Sequence, residues 1–447
     1  MKEQKNIHFI GCRGVSMQRL MKIAKGRGDL VSGSDVLLGG HDKKNIHSGI
    51  DLVVFSAAIK EDNAELVRAR ELGIEVMSRG EYLAKVMEYF DISIAVGGAH
   101  GKTTTTAMMS EVLAALNPTV HIGVDNQCAF NDDNLSLDTN FVFITEACEY
   151  KKSFLELKPD IAIVLNMDLD HTDCYENLEA AKLAFYEFID NAKKVAIVGD
   201  EFVRCKMQNA KDTEKQNIIR VGLKPSCDIR AGLLRHDENG CYSFCLFINK
   251  QWKGRFRLKV AGRHNVINSL FVIVAALELG LSLDEIRIGL ERFKGISRRF
   301  EKLGQIGTST IYSDYAHHPK EIDASIASMR ECGYKHLTIC FEPHTYTRTQ
   351  SFYKEFGASL SKADEVVLLP IFAAREQKVM GVESNLIEKE MKRAGYAAVI
   401  CADDYMNACE YLKNHCLIKD SAVVFMGAGT IDNLAREFII NFQNKEG

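Results

Sequence analysis

Short apolar runs alternate with amphipathic stretches of helical length from one end of the chain to the other. A strand covered on both faces reads as a continuous apolar run, and a helix packed on a sheet shows apolar residues three and four apart. The alternation therefore predicts parallel α/β architecture. Buried strands are predicted at Ile7–Gly11, Leu52–Ala57, Ile92–Gly97, Phe141–Thr145, Ile161–Asn166, Val195–Gly199, Leu337–Phe341, Val366–Pro370 and Ala422–Gly427. Thr104–Leu116 and Leu178–Ala192 carry the helical spacing between them. From about residue 213 to 262 the helical signal weakens and Cys241–Ile248 alternates, which predicts a small antiparallel sheet in the middle of the chain. Breaks near residues 86–92 and 294–299 divide the chain into predicted domains 1–90, 91–295 and 296–447.

Composition narrows this picture. The 447 residues exceed what one core holds, ~250–300 residues. A net charge of −4 makes no case for nucleic acid or an anionic membrane surface. No stretch approaches ~18 uninterrupted apolar residues, so no membrane span is expected, and Met1–Lys5 leads into a strand without a signal-peptide core. The thirteen cysteines lie scattered, several inside apolar runs such as Leu337–Phe341, and none forms a CxxC pair. That usage predicts a reducing, cytoplasmic setting.

The first chemistry follows the Ile92–Val96 run, where Gly97-Gly98-Ala99-His100-Gly101-Lys102-Thr103-Thr104 opens a helix. Strand, glycine turn, lysine and helix N-terminus together cradle a polyphosphate: the backbone N–H groups approach it, the helix end favours negative charge, and the lysine adds a cation. Thr103 is placed to offer its hydroxyl to Mg²⁺. The spacing is the short G-x-x-G-K-T form, since Val96 stands where the longer motif needs glycine. Two further strands end in Glu146-Ala147-Cys148-Glu149 and in Asn166-Met167-Asp168-Leu169-Asp170-His171. Ligands of open α/β sheets sit at strand carboxyl ends, so these groups point to a metal–nucleotide site. Taken singly, each reads equally well as a helix cap or a loop residue. Asn265 and Asn268, three apart at a helix start, share a face from which they could bond a purine, although Asn265 reads equally as a cap of that helix.

These motifs resemble those of the Mur ligase family. Gly98–Thr104 is similar to its G-T-H-G-K-T-T loop, with Ala99 for the first threonine. Glu146–Glu149 and Asn166–His171 resemble E-A-x-E and N-x-x-x-D-H, and Gly262–Asn268 the adenine-side G-x-H-N-x-x-N. Arg298-Arg299-Phe300-Glu301, Ser313–Pro319 and Glu342–Thr349 resemble R-R-F-E, D-D-Y-A-H-H-P and Q-P-H-x-Y-T-R-T of its alanine-adding branch, with glutamate for the first glutamine. His8–Met17 takes the place of H-F-I-G-I-G-G-x-G-M, with Arg13 and Ser16 where glycines are common.

The resemblance implies three α/β domains: a Rossmann-like N-terminal domain for a UDP-sugar, a central P-loop ATP domain and a Rossmann-like C-terminal domain for the amino acid. It implies an ATP-dependent ligase of peptidoglycan synthesis that joins L-alanine to UDP-N-acetylmuramate. The implied catalytic residues are Lys102, Glu146, His171 and Arg299. Thr103, Glu146 and His171 would hold Mg²⁺, a site that also admits Mn²⁺. ATP would meet Gly98, Ala99, His100, Gly101, Lys102, Thr103 and Thr104, with His264, Asn265, Asn268 and Asp314 around the nucleoside. Gly11, Arg13, Gly14, Ser34 and Asp35 would face the UDP-sugar, where Arg13 either pairs with phosphate or blocks the turn. Tyr315, His317, His344 and Arg348 would hold the amino acid. A ligase adding a whole peptide, a paralogue with another carboxylate, and a nucleotide-binding regulator without ligation are the competing readings. The sequence sets no oligomeric state.

Overall fold

The computed structural model describes residues 4–123, 141–168, 174–202, 217–374 and 376–443. All nine predicted runs form strands, gathered into three sheets.

The N-terminal sheet has the order β2-β1-β3-β4, all parallel: β1 Asn6–Ile10, β2 Leu30–Ser34, β3 Leu52–Phe55 and β4 Glu75–Ser78. Its helices are α1 Val15–Gly26, α2 Ala64–Glu71 and α3 Arg79–Met87. Side chains alternate across a strand, so Ile7 and Phe9 join one core layer while Ile10 joins another with Val53 and Leu66. The chain passes from β1 to β2 on one side and then to β3 on the other. The crevice at the carboxyl end of β1 is therefore the place for a ligand.

The second sheet runs β13-β12-β11-β10-β9-β8-β5-β7-β6. Its strands are β5 Ile92–Gly97, β6 Thr119–His121, β7 Val142–Glu146, β8 Ile161–Val164, β9 Val195–Gly199, β10 Asn217–Gly222, β11 Ile229–His236, β12 Cys241–Ile248 and β13 Gln251–Ala261. Helices α4 Lys102–Val112, α5 Leu178–Asp190, α6 Arg263–Glu278 and α7 Leu283–Arg292 belong to the same stretch of chain. The small separate sheet expected near residues 213–262 is instead an extension of this one. β10 adds to β9 in parallel through Asn217↔Val195 and the pairs that follow, so the edge is continued rather than closed. β5 lies between β7 and β8, which makes its carboxyl end the second switch point.

The third sheet, β14-β15-β19-β16-β17-β18, comprises β14 Glu301–Ile306, β15 Ser309–Asp314, β16 His336–Phe341, β17 Glu365–Leu368, β18 Val399–Cys401 and β19 Ser421–Met426. Only its edge strand β14 is antiparallel to its neighbour. Helices α8 Pro319–Glu331, α9 Tyr346–Leu360, α10 Asn385–Arg393, α11 Tyr405–Tyr411 and α12 Ile431–Gln443 accompany it. β19 is buried on both faces: Ala422, Val424 and Met426 pack into one layer, Val423 and Phe425 into the other.

The chain divides into two compact units. The first comprises Met1–Gly232, Leu246–Gly254 and Ile267–Arg292, and the second Leu233–Cys245, Arg255–Val266 and Phe293–Gly447. Among the described residues no helix is long and apolar enough to cross a membrane.

Candidate functional site

In the first unit, β5 ends at Gly97 and the loop that follows turns on two glycines with positive φ, Gly98 at 136° and Gly101 at 85°. A Cβ at Gly98 would come 3.0 Å from Leu165 Cβ, and one at Gly101 3.0 Å from Asn268 Oδ1, so both positions need glycine for space as well as conformation. α4 starts at Lys102 and brings its N-terminal amides to the loop. Lys102 Nζ donates to Gly98 O at 2.5 Å, to Ala99 O at 3.2 Å and to Glu149, whose Oε2 lies at 2.8 Å. Glu149 is buried, and sequence reasoning gave it no role although the E-A-C-E pattern displayed it. His100 is pinned to the end of β8. Its N–H donates to Asn166 Oδ1, its carbonyl accepts from Asn166 Nδ2, both at 2.9 Å, and its Nε2 lies 3.3 Å from Asp168 Oδ2.

Glu146 is the last residue of β7, paired in register with Val96, so it stands beside the start of the phosphate loop. Its Oε2 lies 3.0 Å from where a Cβ on Gly123 would be, so a larger residue there would press on the carboxylate. Thr103 and Thr104 occupy the first turn of α4, half-buried. A hydroxyl in the first turn of α4 and a carboxylate at the end of β7 are hard oxygen donors that suit Mg²⁺. His171, the third expected ligand, lies outside the described residues. Asn268 packs against Gly101, which puts one of the two expected purine contacts at the loop.

At the carboxyl end of β1, Gly11 has φ 79° and donates its N–H to Ser34 O at 2.9 Å; Cys12 does the same at 3.0 Å. Arg13 and Gly14 face solvent at the entry to α1, whose N-cap Gly14 offers no side-chain cap. Asp35 is turned inward. Its Oδ2 accepts from Arg13 N–H at 3.0 Å and its Oδ1 from Leu37 N–H at 3.1 Å, so the carboxylate fastens the loop around the expected sugar-nucleotide site. Ser34 Oγ donates to Glu65 Oε2 at 2.5 Å. Burial alone would raise the Glu65 pKa, but hydrogen bonds from Ser34 and Asn45, with the His8 ring 3.6 Å away, outweigh it and hold the carboxyl at about 2. Glu65, unmarked in the sequence, thus anchors the second side of this loop.

In the second unit, Arg299 is half-buried. Burial disfavours its charge, yet Glu321, 3.2 Å away, and Asp314 raise its pKa. Its guanidinium lies over the Tyr315 ring at 4.9 Å, and that of Arg298 lies over the same ring at 4.7 Å. Glu321 also accepts the His317 N–H at 3.1 Å. It sits at the third position of α8, behind the cap His318 and Pro319 (the capping pattern that would have found it). His317 and His318 diverge, one toward Glu321 and the other capping α8. Burial, then the Arg299 charge, lowers the His264 pKa to about 4. Asp314 is buried and its pKa raised; it accepts from Ser325 Oγ at 2.6 Å and Ala316 N–H at 3.1 Å. Asn265 donates to Ala261 O at 2.8 Å. Tyr315, His317, His344 and Phe372 form a run of ring contacts with centroids 5.3, 5.8 and 5.8 Å apart. Arg348 is half-buried in the first turn of α9.

Three domain families match the chain in succession: the Mur ligase family catalytic domain over residues 6–91, the Mur ligase middle domain over 96–276 and the Mur ligase glutamate ligase domain over 298–429. The chain is 36% identical over 457 residues to the UDP-N-acetylmuramate–L-alanine ligase of Acetivibrio thermocellus, covering 97% of this chain and 96% of that one. It is 36% identical over 451 residues to the ligase of the same name from Clostridium kluyveri, covering 96% of each. Among solved structures, the UDP-N-acetylmuramate–alanine ligase of Thermotoga maritima superposes with a TM-score of 0.77 at 24% identity, covering 99% of this chain and 100% of that one. A murein peptide ligase of Psychrobacter arcticus superposes with a TM-score of 0.66 at 22% identity, covering 98% and 99%.

Proposed function

The chain belongs to the Mur ligase family, and from that premise we propose that it joins L-alanine to the carboxylate of UDP-N-acetylmuramate, using ATP, in peptidoglycan precursor synthesis in the cytoplasm. The observation that carries the ligase reading is the placement of Lys102 and Thr103 at the N-terminus of α4, after the glycine loop that follows β5, with Glu146 at the end of the neighbouring strand β7. Full-length likeness to alanine ligases supports alanine as the amine.

Phosphoryl transfer to the muramic carboxylate gives an acyl phosphate and ADP. The alanine amine then attacks the carbonyl and phosphate leaves. Lys102 and the α4 amides hold the phosphates and offset their charge, which is mostly a matter of position and electrostatics. Thr103 and Glu146 would hold Mg²⁺, which when bound neutralises the phosphate oxygens; His171 is the proposed third ligand. Asn265, Asn268 and His264 are assigned to the adenine side and Asp314 to the ribose. Arg299, kept charged by Glu321, is assigned to the phosphates. Gly11, Arg13 and Gly14 are assigned to the UDP-sugar, directly, and Ser34 and Asp35 through the loop they fasten. Tyr315, His317, His344 and Arg348 are assigned to the amino acid. The domains proposed for these tasks are 1–90, 91–295 and 296–447.

ADP release measured with and without UDP-N-acetylmuramate and with each amino acid tests this reading. Release that needs both the sugar nucleotide and L-alanine is expected. Release only with a peptide, or without UDP-N-acetylmuramate, would move the peptide-adding or paralogue reading into its place.

A further inference from the structure

Arg79, the first residue of α3, sends its guanidinium in two directions inside the first unit. Nη1 donates to Ser16 Oγ at 3.3 Å and Nη2 to Ser153 Oγ at 3.2 Å. Ser16 Oγ lies 2.9 Å from His121 Nε2, and His121 Nδ1 lies 2.9 Å from Thr145 Oγ1, which donates to Glu146 O at 3.0 Å. On the other branch Ser153 Oγ donates to Cys148 O at 2.9 Å.

With the Thr145 hydroxyl donating to Glu146 O, it accepts from His121, which assigns the ring proton to Nδ1. Nε2 is then an acceptor and takes the Ser16 hydroxyl proton, while Ser16 Oγ accepts from Arg79. Every link has one donor and one acceptor, with a neutral imidazole. Burial, and then the charges of Arg79 and Arg19, hold His121 neutral by lowering its pKa to about 3.

The two ends of this chain have different tasks. Ser16 lies in the first turn of α1, just past the Gly11–Gly14 loop, at a position where the Mur pattern commonly has glycine. Glu146 and Cys148 bracket the acidic segment beside the phosphate loop. The strand that carries His121 leads to Gly123, which lies against the Glu146 carboxylate, so the same stretch reaches the Glu146 carbonyl through the Thr145 hydroxyl and lies against its side chain. A glycine at position 16 has no hydroxyl to give the buried ring.

We propose that Arg79, Ser16 and His121 form a positioning network that couples the sugar-nucleotide loop to the placement of the Glu146 carboxylate. None of the three touches a reacting atom; each acts through Thr145, Ser153 or the backbone of residues 146–148. The proposal rests on the ligase reading only for the task given to Glu146.

Two measurements test it. Selective ¹⁵N labelling of histidine, with the His121 signal identified by its loss in His121→Gln, should show a neutral ring protonated at Nδ1 in the parent and a changed signal in Ser16→Gly. A ring protonated at Nε2 would overturn the chain of donors. Calorimetric binding of ADP in the presence of Mg²⁺ and ADP release at varied Mg²⁺ form the second measurement. Ser16→Gly and His121→Gln should each raise the Mg²⁺ requirement by about three- to tenfold, the size of one net hydrogen bond, and the double variant should cost no more than the worse single one. Variants that melt earlier with unchanged Mg²⁺ dependence would leave the network merely structural and sink the proposal. Should His121→Gln fail to fold, Ser16→Gly alone decides. Absence of ADP release in the parent would count against the ligase reading instead, while the ¹⁵N result would stand by itself.

Discussion

Both oxygens of the Glu149 carboxylate reach Lys102 Nζ, at 2.8 and 3.1 Å, across the proposed phosphate loop. The pair is mostly enclosed, with 16% of the lysine side chain and 4% of the glutamate exposed. Lys102 is therefore more than an exposed loop cation. Removing it withdraws the charge that balances a buried carboxylate.

Lys102→Met should lose ADP production by ~100-fold or more, because a positioned cation at the transferring phosphoryl group is gone. It should also lose roughly 1–3 kcal/mol of stability through Glu149. Adding Glu149→Gln should restore the melting temperature without restoring turnover. Parent-level ADP production in Lys102→Met would show that the phosphate-loop assignment is wrong.

Glu146→Gln keeps the shape of the side chain at the end of β7 and removes its charge. Activity should then need more Mg²⁺ for half-saturation, while binding of ADP without metal stays as in the parent. An unaltered Mg²⁺ titration would remove Glu146 from the metal site.

The parts of this site that were legible in the sequence are local. Ile92–Lys102 places strand, glycine turn, cation and helix within one short stretch, and each piece constrains the next. The uninterrupted apolar runs gave the strands for the same reason: burial on both faces shows in consecutive residues. His317 and Glu321 are also close in sequence, and a cap pattern after Pro319 makes that contact readable. Arg79 and Ser153, or Ser16 and His121, are separated by 74 and 105 residues, so no spacing announces them. The fate of β10–β13 depended on whether the β9 edge stayed open, which is a property of the sheet and not of the Cys241–Ile248 alternation.

Acid should destabilise the fold in two stages. His121 and His264 are pulled below the ordinary 6.5, mainly by burial, to about 3 and about 4. The unfolded chain then binds protons that the folded one refuses, so stability falls as pH drops below about 6.5, by up to ~1.4 kcal/mol per pH unit for each ring. Glu65 moves from 4.5 to about 2, so its contribution is complete above 4.5 and drains away below it. Urea midpoints should fall between pH 7 and 5, less steeply in His264→Gln, whereas Glu65→Gln should flatten only the limb below 4.5. A midpoint that does not change from pH 7 to 5 would contradict the buried neutral histidines.

Gly429 sits where an added Cβ would strike the Glu342 carboxylate and the Phe372 ring. Arg298 Nη2 takes the Gly429 carbonyl at 2.9 Å, and its guanidinium lies over Tyr315. Gly429→Ala should cost ~1–3 kcal/mol by overpacking and shift Arg298 on the ring. The KM for L-alanine should rise while that for ATP holds. An unmoved alanine KM would separate this turn from the amino-acid site.

Arg13 is the sharpest departure from the glycine pattern of the proposed sugar-nucleotide loop, and the structure gives it a specific setting. Its backbone N–H is committed to Asp35, while its side chain faces solvent at the N-terminus of α1. A helix end whose cap residue, Gly14, supplies no side-chain bond presents amides to an anion, and a pyrophosphate there would find the guanidinium beside it. As a hypothesis, that guanidinium replaces a close backbone approach with a charge-assisted contact. Such a bond is worth ~1.5–3 kcal/mol, a roughly tenfold to hundredfold effect on affinity. Arg13→Ala should therefore weaken UDP-N-acetylmuramate binding by about that factor and leave ATP affinity as it was. Arg13→Gly should weaken it as well, since glycine restores space without restoring charge. If calorimetry shows Arg13→Gly binding the sugar nucleotide more tightly than the parent, the arginine is an obstruction. The natural substrate would then carry something other than a UDP group.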